Sequence, residues 1–479
     1  MNRNIGALFI LHSVLVGAAA GQRAVLTTGP SPQEAVSTVR LAVRPADAPK
    51  PALKYLLLPD VCDQTPGNAA QLYYTAQQLY ADAKKDELDE KIDSWCRMPL
   101  NDLPRAEVRR VLSEYTAALR YVRLASRSEL CHWDIPVRTE AFNVVLPQLG
   151  AFRGLAKIVA VQARLNISEG NYADAMDDLQ TGFAMARHIG EAPTLINALV
   201  GLAVGGLMLD GAQDLMQAPD APNLYWALAD LPRPFIDMRN ALRWEKALVH
   251  LAVPQLRNLT RADLTPQQWN AVMKNVQEIV AMGAVSSAET GWQSRLEMAA
   301  VSIKLYPKAK RYLMELGQSK EQVERMPVQQ VVLMYSLDRY TYWRDEMFKW
   351  LSLPYWQAHE PLKQQEMAFA KSQGGALADG FPFTMLLPSL RRAYFRATKC
   401  DRHVAALQCI EAVRMHAAAH DGRPPASLGD IHVVPVPNDP VTGKAFGYEV
   451  KGNVVTLDAP PPAGDSPRDG AKYVITIIR

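Results

Sequence analysis

LGAFRGLAKIVAVQARLNISEGNYADAMDDLQTGFAMARHIGEAPTLINALVGLAVGGLMLDGAQDLMQ, residues 149–217, decides the fold class. Leu155, Ile158, Val159, Ala163 and Leu165 return at intervals that put them on one side of an α-helix. Gly170-Asn171 interrupts that pattern, Tyr172 to Ile189 resumes it, and Pro193 stands where the first turn of a third helix tolerates proline. Ala198 to Leu209 is an unbroken run of 12 apolar residues, short of the ~20 that cross a bilayer. It reads as a fully buried core helix in which Gly201, Gly205 and Gly206 let a neighbouring helix come close.

The helical pattern continues on both sides. Upstream it covers Asn68 to Tyr80 and Asp86 to Trp95, and Pro104 opens a helix to about Ser126. Downstream, helices are expected at Pro234 to Asn258, Pro266 to Met282, Trp292 to Lys304, Lys308 to Leu316, Val328 to Leu351 and Pro361 to Ser372. Gly374-Gly375 and Gly380-Phe381-Pro382 mark a boundary before a last helix, Leu387 to His420, which ends at Asp421-Gly422. Tyr448 to Val450 and Val454 to Leu457 then flank Lys451-Gly452-Asn453 as a hairpin, and Tyr473 to Ile478 is a third strand. The expected fold is mainly α: an irregular helical bundle or solenoid-like body with a small C-terminal α+β module, a long helix plus a three-stranded antiparallel sheet. Its expected parts are a leader (1–20), an extended Pro- and Ala-rich segment (21–64) with Thr38 to Val43 and Leu53 to Leu58 as candidate strands, a helical domain (65–380) and the C-terminal helix and β module (387–479).

Two local resemblances add to this. Gly170-Asn-Tyr-Ala-Asp-Ala175, with Leu179 and Gly182, resembles the middle of a tetratricopeptide repeat, which implies two helices folded back at a glycine corner. Asn166 stands where that repeat carries a large apolar residue. Asp421-Gly-Arg-Pro-Pro-Ala-Ser-Leu428, then Asn438-Asp-Pro-Val-Thr-Gly-Lys444 and a small sheet, resembles the globular region of type II secretion pseudopilins and type IV pilins. The chain has no counterpart of their prepilin helix, and Ala463-Gly-Asp-Ser-Pro-Arg-Asp-Gly470 stands at their calcium loop, so neither polymer assembly nor calcium is implied. The chain as a whole resembles exported, mostly helical bacterial proteins, a likeness that implies no activity.

Arg3, the apolar stretch Ile5 to Val16 and Ala18-Ala19-Ala20 before Gly21 have the order of a cleaved export signal. The expectation is a periplasmic or extracellular protein with no stable membrane span after cleavage. Losing Arg3 takes the formal charge from +3 to +2, and the basic residues are interspersed, which argues against a nucleic-acid partner. Of the five cysteines, Cys62 and Cys96 are the expected disulfide because they flank one predicted helical hairpin. Cys400 and Cys409 fall on opposite faces of one helix, ~13 Å apart along its axis, too far to bond.

His416 and His420, four apart near a helix end, place two imidazoles on one face where a divalent metal could sit, or else cap the helix carbonyls. The glutamate of a zinc-protease helix is absent between them. Cys131-His132-Trp133-Asp134 reads as a structural loop, since adjacent residues rarely meet in catalytic geometry. The expected ligand surface is an aromatic strip: Tyr340, Trp343 and Trp350 on one stripe with Leu333, Leu337, Met347 and Leu351, followed by Tyr355 and Trp356. Arg339, Arg344, Asp345 and Lys349 supply its expected wet face. No nucleophile elbow, phosphate loop or Cys-x-x-Cys pair occurs, so no catalytic residue and no cofactor is assigned. These features suggest a binding or scaffold protein of the cell envelope, with envelope proteins or peptides as partners. One alternative is a secreted hydrolase drawing on distant groups among Glu245, His250, Asp345, His359 and Glu360; another is an accessory subunit of a secretion or pilus-like apparatus.

Overall fold

The computed structural model describes residues 36–478 apart from 85, 145, 147, 259–264, 284–292, 374–378, 382 and 388. The expected leader, with its cleavage point, and the Gly374-Gly375 boundary lie outside the described residues. The chain is 64% helical, with 16 α-helices among the described residues. In chain order the principal elements are β1 (Ser37–Val43), β2 (Thr65–Asn68), α1 (Ala69–Ala83), α2 (Asp86–Trp95), α3 (Arg105–Glu114), α4 (Thr116–Ser126), β3 (Ser128–Leu130), α5 (Gln148–Ser168), α6 (Tyr172–Gly190), α7 (Leu195–Gln217), α8 (Arg239–Ala252), α9 (Pro266–Gly283), α10 (Gln293–Glu315), α11 (Val328–Phe348), α12 (Tyr355–Ser372), α13 (Leu390–Ala419), β4 (Gly447–Lys451), β5 (Val454–Ala459) and β6 (Ala471–Ile477). Two compact units share the chain, a larger one from 36–134, 146–242 and 393–479 and a smaller one from 135–145 and 243–392. The helical stretch expected as one body, 65–380, is divided between them.

In the larger unit α5, α6 and α7 pack in sequence order. The corner between α5 and α6 is Gly170, at φ +79°, where the Asn171 N–H donates to Asn166 O at 2.9 Å. Leu155, Ile158, Leu179, Phe183 and Leu209 are fully buried between the helices, each contributing ~1.5–3 kcal/mol of apolar burial. Helix α7 is long and apolar enough to cross a membrane by length and composition, and 72% of its most apolar window is buried inside the fold. Gly201 explains how closely α6 and α7 approach: a Cβ there would lie 2.5 Å from Gly190 Cα and 2.6 Å from Ala186 O. Both are backbone atoms, so Gly201→Ala must push the helices apart and is expected to cost ~2–3 kcal/mol. Gly206→Ala, whose Cβ meets nothing within 4 Å, is expected to stabilise by ~0.5–1 kcal/mol. Urea unfolding of the two variants checks the contrast, and equal midpoints would contradict this packing.

The helix expected from Pro104 to Ser126 is two helices. Tyr115, at φ −102° and ψ 9°, separates α3 from α4. The Ser113 hydroxyl donates to Arg110 O and the Thr116 hydroxyl to Ser113 O, local bonds that compete with the helical ladder. The break seats Tyr115 in the core, stacked on Tyr80 with ring centroids 5.6 Å apart.

The C-terminal hairpin and third strand form as expected, with Gly452 at φ +64° in the two-residue turn between β4 and β5. The sheet is wider than its three expected antiparallel strands, however. Its order is β1-β6-β5-β4, and β1 pairs in parallel with β6, Val43 opposite Ile477. Leu41 and Val43 of β1 point inward with Ile475, Ile477, Val455 and Leu457, so the N-terminal strand completes the buried face of the module. The other candidate strand, Leu53 to Leu58, contains no strand. Helix α13 underlies this region and carries buried charge: Arg402 bonds Asp439, and Arg414 bonds Glu411. Asp439 belongs to the loop from Asn438 to Lys444. Its carboxylate also accepts from Val441 N and the Thr442 hydroxyl, so this loop folds around an arginine of the helix.

The smaller unit is built around α11. Val331, Val332, Leu333, Met334 and Tyr335 are all buried, joined by Leu305, Ala309 and Leu313 of α10, Val272 and Val276 of α9, and Phe383. Five consecutive buried residues need partners on every side, which is why no single apolar stripe describes this helix. Two other expectations change here. The helices expected on either side of Pro307 are one continuous helix, α10, because Leu305 before it and Ala309 after it are held in the same core. Helix α12 starts six residues before the expected Pro361, at Tyr355.

Candidate functional site

The five aromatic residues of the expected ligand strip do not share one surface. Tyr340 is 3% exposed and packs on Phe383, ring centroids 6.2 Å apart. Trp350 lies in the 3-10 turn after α11, with its indole N–H buried and unbonded. Tyr355 is buried with its hydroxyl 2.9 Å from His359 Nδ1, whereas Trp356 is 49% exposed. Of the expected wet face, Arg344 is buried, its guanidinium 5.5 Å from the Tyr340 ring and Nη1 bonded to Lys246 O. Arg339 is partly covered as well. The charged ends of these two arginines face partners within the fold, Lys246 O and Asp345 for Arg344 and Asp379 for Arg339, so neither belongs to a wet face.

Of the five, Trp343 lines a cleft of about 510 Å³ between α10 and α11. Lys308, Arg311, Tyr312 and Glu315 form the α10 wall at i, i+3, i+4 and i+7, and Tyr335, Arg339 and Trp343 form the α11 wall at i, i+4 and i+8. Asp379 closes one end. Its Oδ1 accepts from Tyr335 Oη at 2.5 Å and Lys308 Nζ at 3.3 Å, and its Oδ2 from Arg339 Nε at 2.8 Å and Trp343 Nε1 at 3.0 Å. Burial pushes this carboxyl up, but the bonds from Tyr335, Trp343 and Arg339 and the arginine charge outweigh it and leave the pKa at about 2. Burial and the bond to Asp379 hold the Tyr335 phenol well above its ordinary value, so it stays a donor.

The rings also fix the cations. The Arg339 guanidinium lies 4.5 Å from the Tyr342 ring centroid and 5.9 Å from those of Tyr312 and Trp343, while Lys308 Nζ lies 5.3 Å from that of Tyr335. Tyr312 Oη donates to Asp338. Arg311 is exposed and has no ion pair among the described residues. The cleft thus presents three cations, Lys308, Arg311 and Arg339, against the carboxylates of Asp379 and Glu315. One carboxylate is already saturated by four donors. Three cations against two carboxylates leave one positive charge in excess, with Lys308 and Arg339 oriented by Asp379 and the rings and Arg311 exposed.

The other expected groups lie elsewhere. The His416 and His420 rings stack with centroids 3.9 Å apart and 9° between planes, and His420 Nδ1 bonds His416 O at 2.7 Å. Their edges therefore run side by side and do not converge on a point. Among the described residues no group of three or more His, Cys, Asp or Glu is placed to hold a metal ion. The expected Cys62–Cys96 disulfide is not formed, and all five cysteines are free thiols. Cys62 is exposed in a turn capped by Asp60, while the Cys96 thiol donates to Lys157 O of α5 at 3.8 Å, so each is held by a different partner. Cys400 and Cys409 are both buried and unbonded to each other. In the His132 loop, Trp133 is buried against Phe152 and Tyr73 and donates to His188 O at 2.6 Å, a structural role.

The groups expected for a hydrolase do not line this cleft. Burial pushes the Glu245 carboxyl up to about 7, whereas Asp345 is engaged by Lys246 and Arg344, each at 2.9 Å. His359 is held by Tyr355, and Glu360 accepts from Gln364 at 3.1 Å. Comparisons with protein-family models, with curated proteins and with solved structures find no match to this chain.

Proposed function

We propose that the chain is an exported, non-catalytic binding protein whose smaller unit holds an acidic peptide segment of an envelope partner in the cleft between α10 and α11. The observation that carries this reading is the ring-held guanidinium of Arg339 beside Lys308 and the unpaired Arg311. A guanidinium fixed by three rings and a carboxylate loses little freedom when it bonds a second anion, so its hydrogen bonds to a carboxylate are strong for their number. The rings serve to orient the cation. Export rests on the leader-like order of Met1 to Ala20, and the binding role on the cleft.

The test is isothermal titration of the exported protein with a glutamate-rich hexapeptide, a lysine-rich one and a neutral one. The glutamate-rich peptide binds, and binding weakens as salt rises. Arg311→Gln, which removes an exposed side chain without internal partners, lowers its affinity about threefold to tenfold with the unfolding midpoint unchanged. Equal affinity for all three peptides, or no effect of Arg311→Gln, would refute the reading.

A further inference from the structure

The larger unit holds a second polar groove of different chemistry, where α4 faces α5 and α6. Two cavities, of about 310 and 580 Å³, share Arg123, Gln162 and Asn166, so they form one trough. Along one wall Thr116, Arg120 and Arg123 follow on one face of α4, and Arg127, the residue that caps its C-terminus, continues the row. Across from them stand the carboxylates of Asp174 and Asp177 on α6. Gln162, Asn166 and Thr181 lie between the two charged rows, Asn166 and Thr181 being 8% and 4% exposed.

Part of this lining is committed to the fold. Asp178 accepts from Arg123 Nη2 and Asn166 Nδ2, both at 2.7 Å, and Arg127 reaches Asp177 only at 4.0 Å. Five groups have no hydrogen-bond or ion-pair partner among the described residues: the Gln162 side-chain amide, Asn166 Oδ1, the Thr181 hydroxyl, Arg120 and Asp174. Amides and a hydroxyl in the middle can both donate and accept, a cation is free on one side and an anion on the other. This set matches a chain of alternating donors and acceptors that carries charge of both signs. A purely anionic ligand would meet Asp174 and Asp177, and a purely cationic one the arginine row.

We propose that this groove binds an extended peptide segment with at least one acidic and one basic residue, its backbone bonded by Gln162, Asn166 and Thr181, its acid facing Arg120 and its base facing Asp174. The row from Thr116 to the cap residue Arg127 rises ~16 Å, the length of about five residues of extended chain. The inference does not depend on the smaller unit's cleft.

The test is fluorescence anisotropy with three dye-labelled hexapeptides, one with glutamate and lysine alternating among neutral residues, one glutamate-rich and one lysine-rich. The mixed peptide binds at least fivefold more tightly than the glutamate-rich or the lysine-rich one. Its affinity falls at least tenfold in the double variant Arg120→Gln/Asp174→Asn and about fivefold in Gln162→Ala, with circular dichroism and melting temperature unchanged, while Arg311→Gln leaves it as it was. Tighter or equal binding of the glutamate-rich peptide would overturn the proposal, as would competition by a free amino acid at the concentration at which an unlabelled hexapeptide competes. Wild-type affinity in both groove variants would overturn it too. Loss of binding in Arg311→Gln alone would assign the peptide to the other cleft and likewise overturn it.

Discussion

Arg402→Ala is expected to destabilise the larger unit by ~3–5 kcal/mol. Arg402 and Asp439 are 3% and 1% exposed at their side chains, and they meet as a bidentate pair, Nε to Oδ1 at 2.8 Å and Nη2 to Oδ2 at 2.6 Å. The guanidinium also donates to Pro460 O at 2.6 Å and to Ala459 O and Asp469 O at 3.4 Å. Removing it strands a buried carboxylate and three carbonyls, so the cost is the desolvation of groups left unpaired and not the worth of one bond. The double variant Arg402→Met/Asp439→Leu removes both charges and is expected to be less destabilised than the sum of the single changes by ~2 kcal/mol or more. Guanidinium unfolding of the three variants measures this. Strict additivity would mean that the pair does not organise the loop at Asn438 to Lys444.

Arg414→Met has an effect of the same size, ~3–5 kcal/mol, with a different spatial signature. Arg414 is 1% exposed and binds both Glu411 oxygens at 2.9 Å. It donates as well to Arg44 O at 2.8 Å, just after β1, and to Ala221 O at 3.1 Å. Asn223 reinforces the same junction through Ala46 O and Glu411 O. One side chain therefore pins the N-terminal strand, the segment after α7 and the C-terminal third of α13. Its loss should raise amide hydrogen exchange in residues 37–46 and 219–225 well above that in α5 and α6. A uniform rise across the larger unit would show that these contacts carry no local role.

The helices that the sequence spacing marks most clearly are those whose burial is local. In α5 to α7 the apolar residues of each helix face neighbours close in sequence, so periodicity and the Gly170 corner suffice. The hairpin at Gly452-Asn453 is local in the same sense. Features set by distant partners leave no such pattern. Strand β1 reads as extended, but nothing in Ser37 to Val43 names Ala471 to Ile477 as its neighbour. Helix α10 runs through Pro307 because the core on both sides outweighs one lost backbone bond. In the cleft, Arg339 sits one turn from Tyr335 and Trp343, a spacing open to reading as soon as the arginine is not presumed wet. Asp379 carries no local signal at all: its meaning comes from four donors on two helices, and a lone aspartate near Gly380 reads as a turn residue.

The proposed role of the cleft requires an acidic segment to be held between Lys308, Arg311 and Arg339, and a crystal structure of the protein with the glutamate-rich hexapeptide decides it. It should place a peptide carboxylate within hydrogen-bond distance of Arg339 and Arg311, with Asp379 still bonded to Tyr335 and Trp343. A peptide bound at any other surface, with this cleft holding only water, would contradict it.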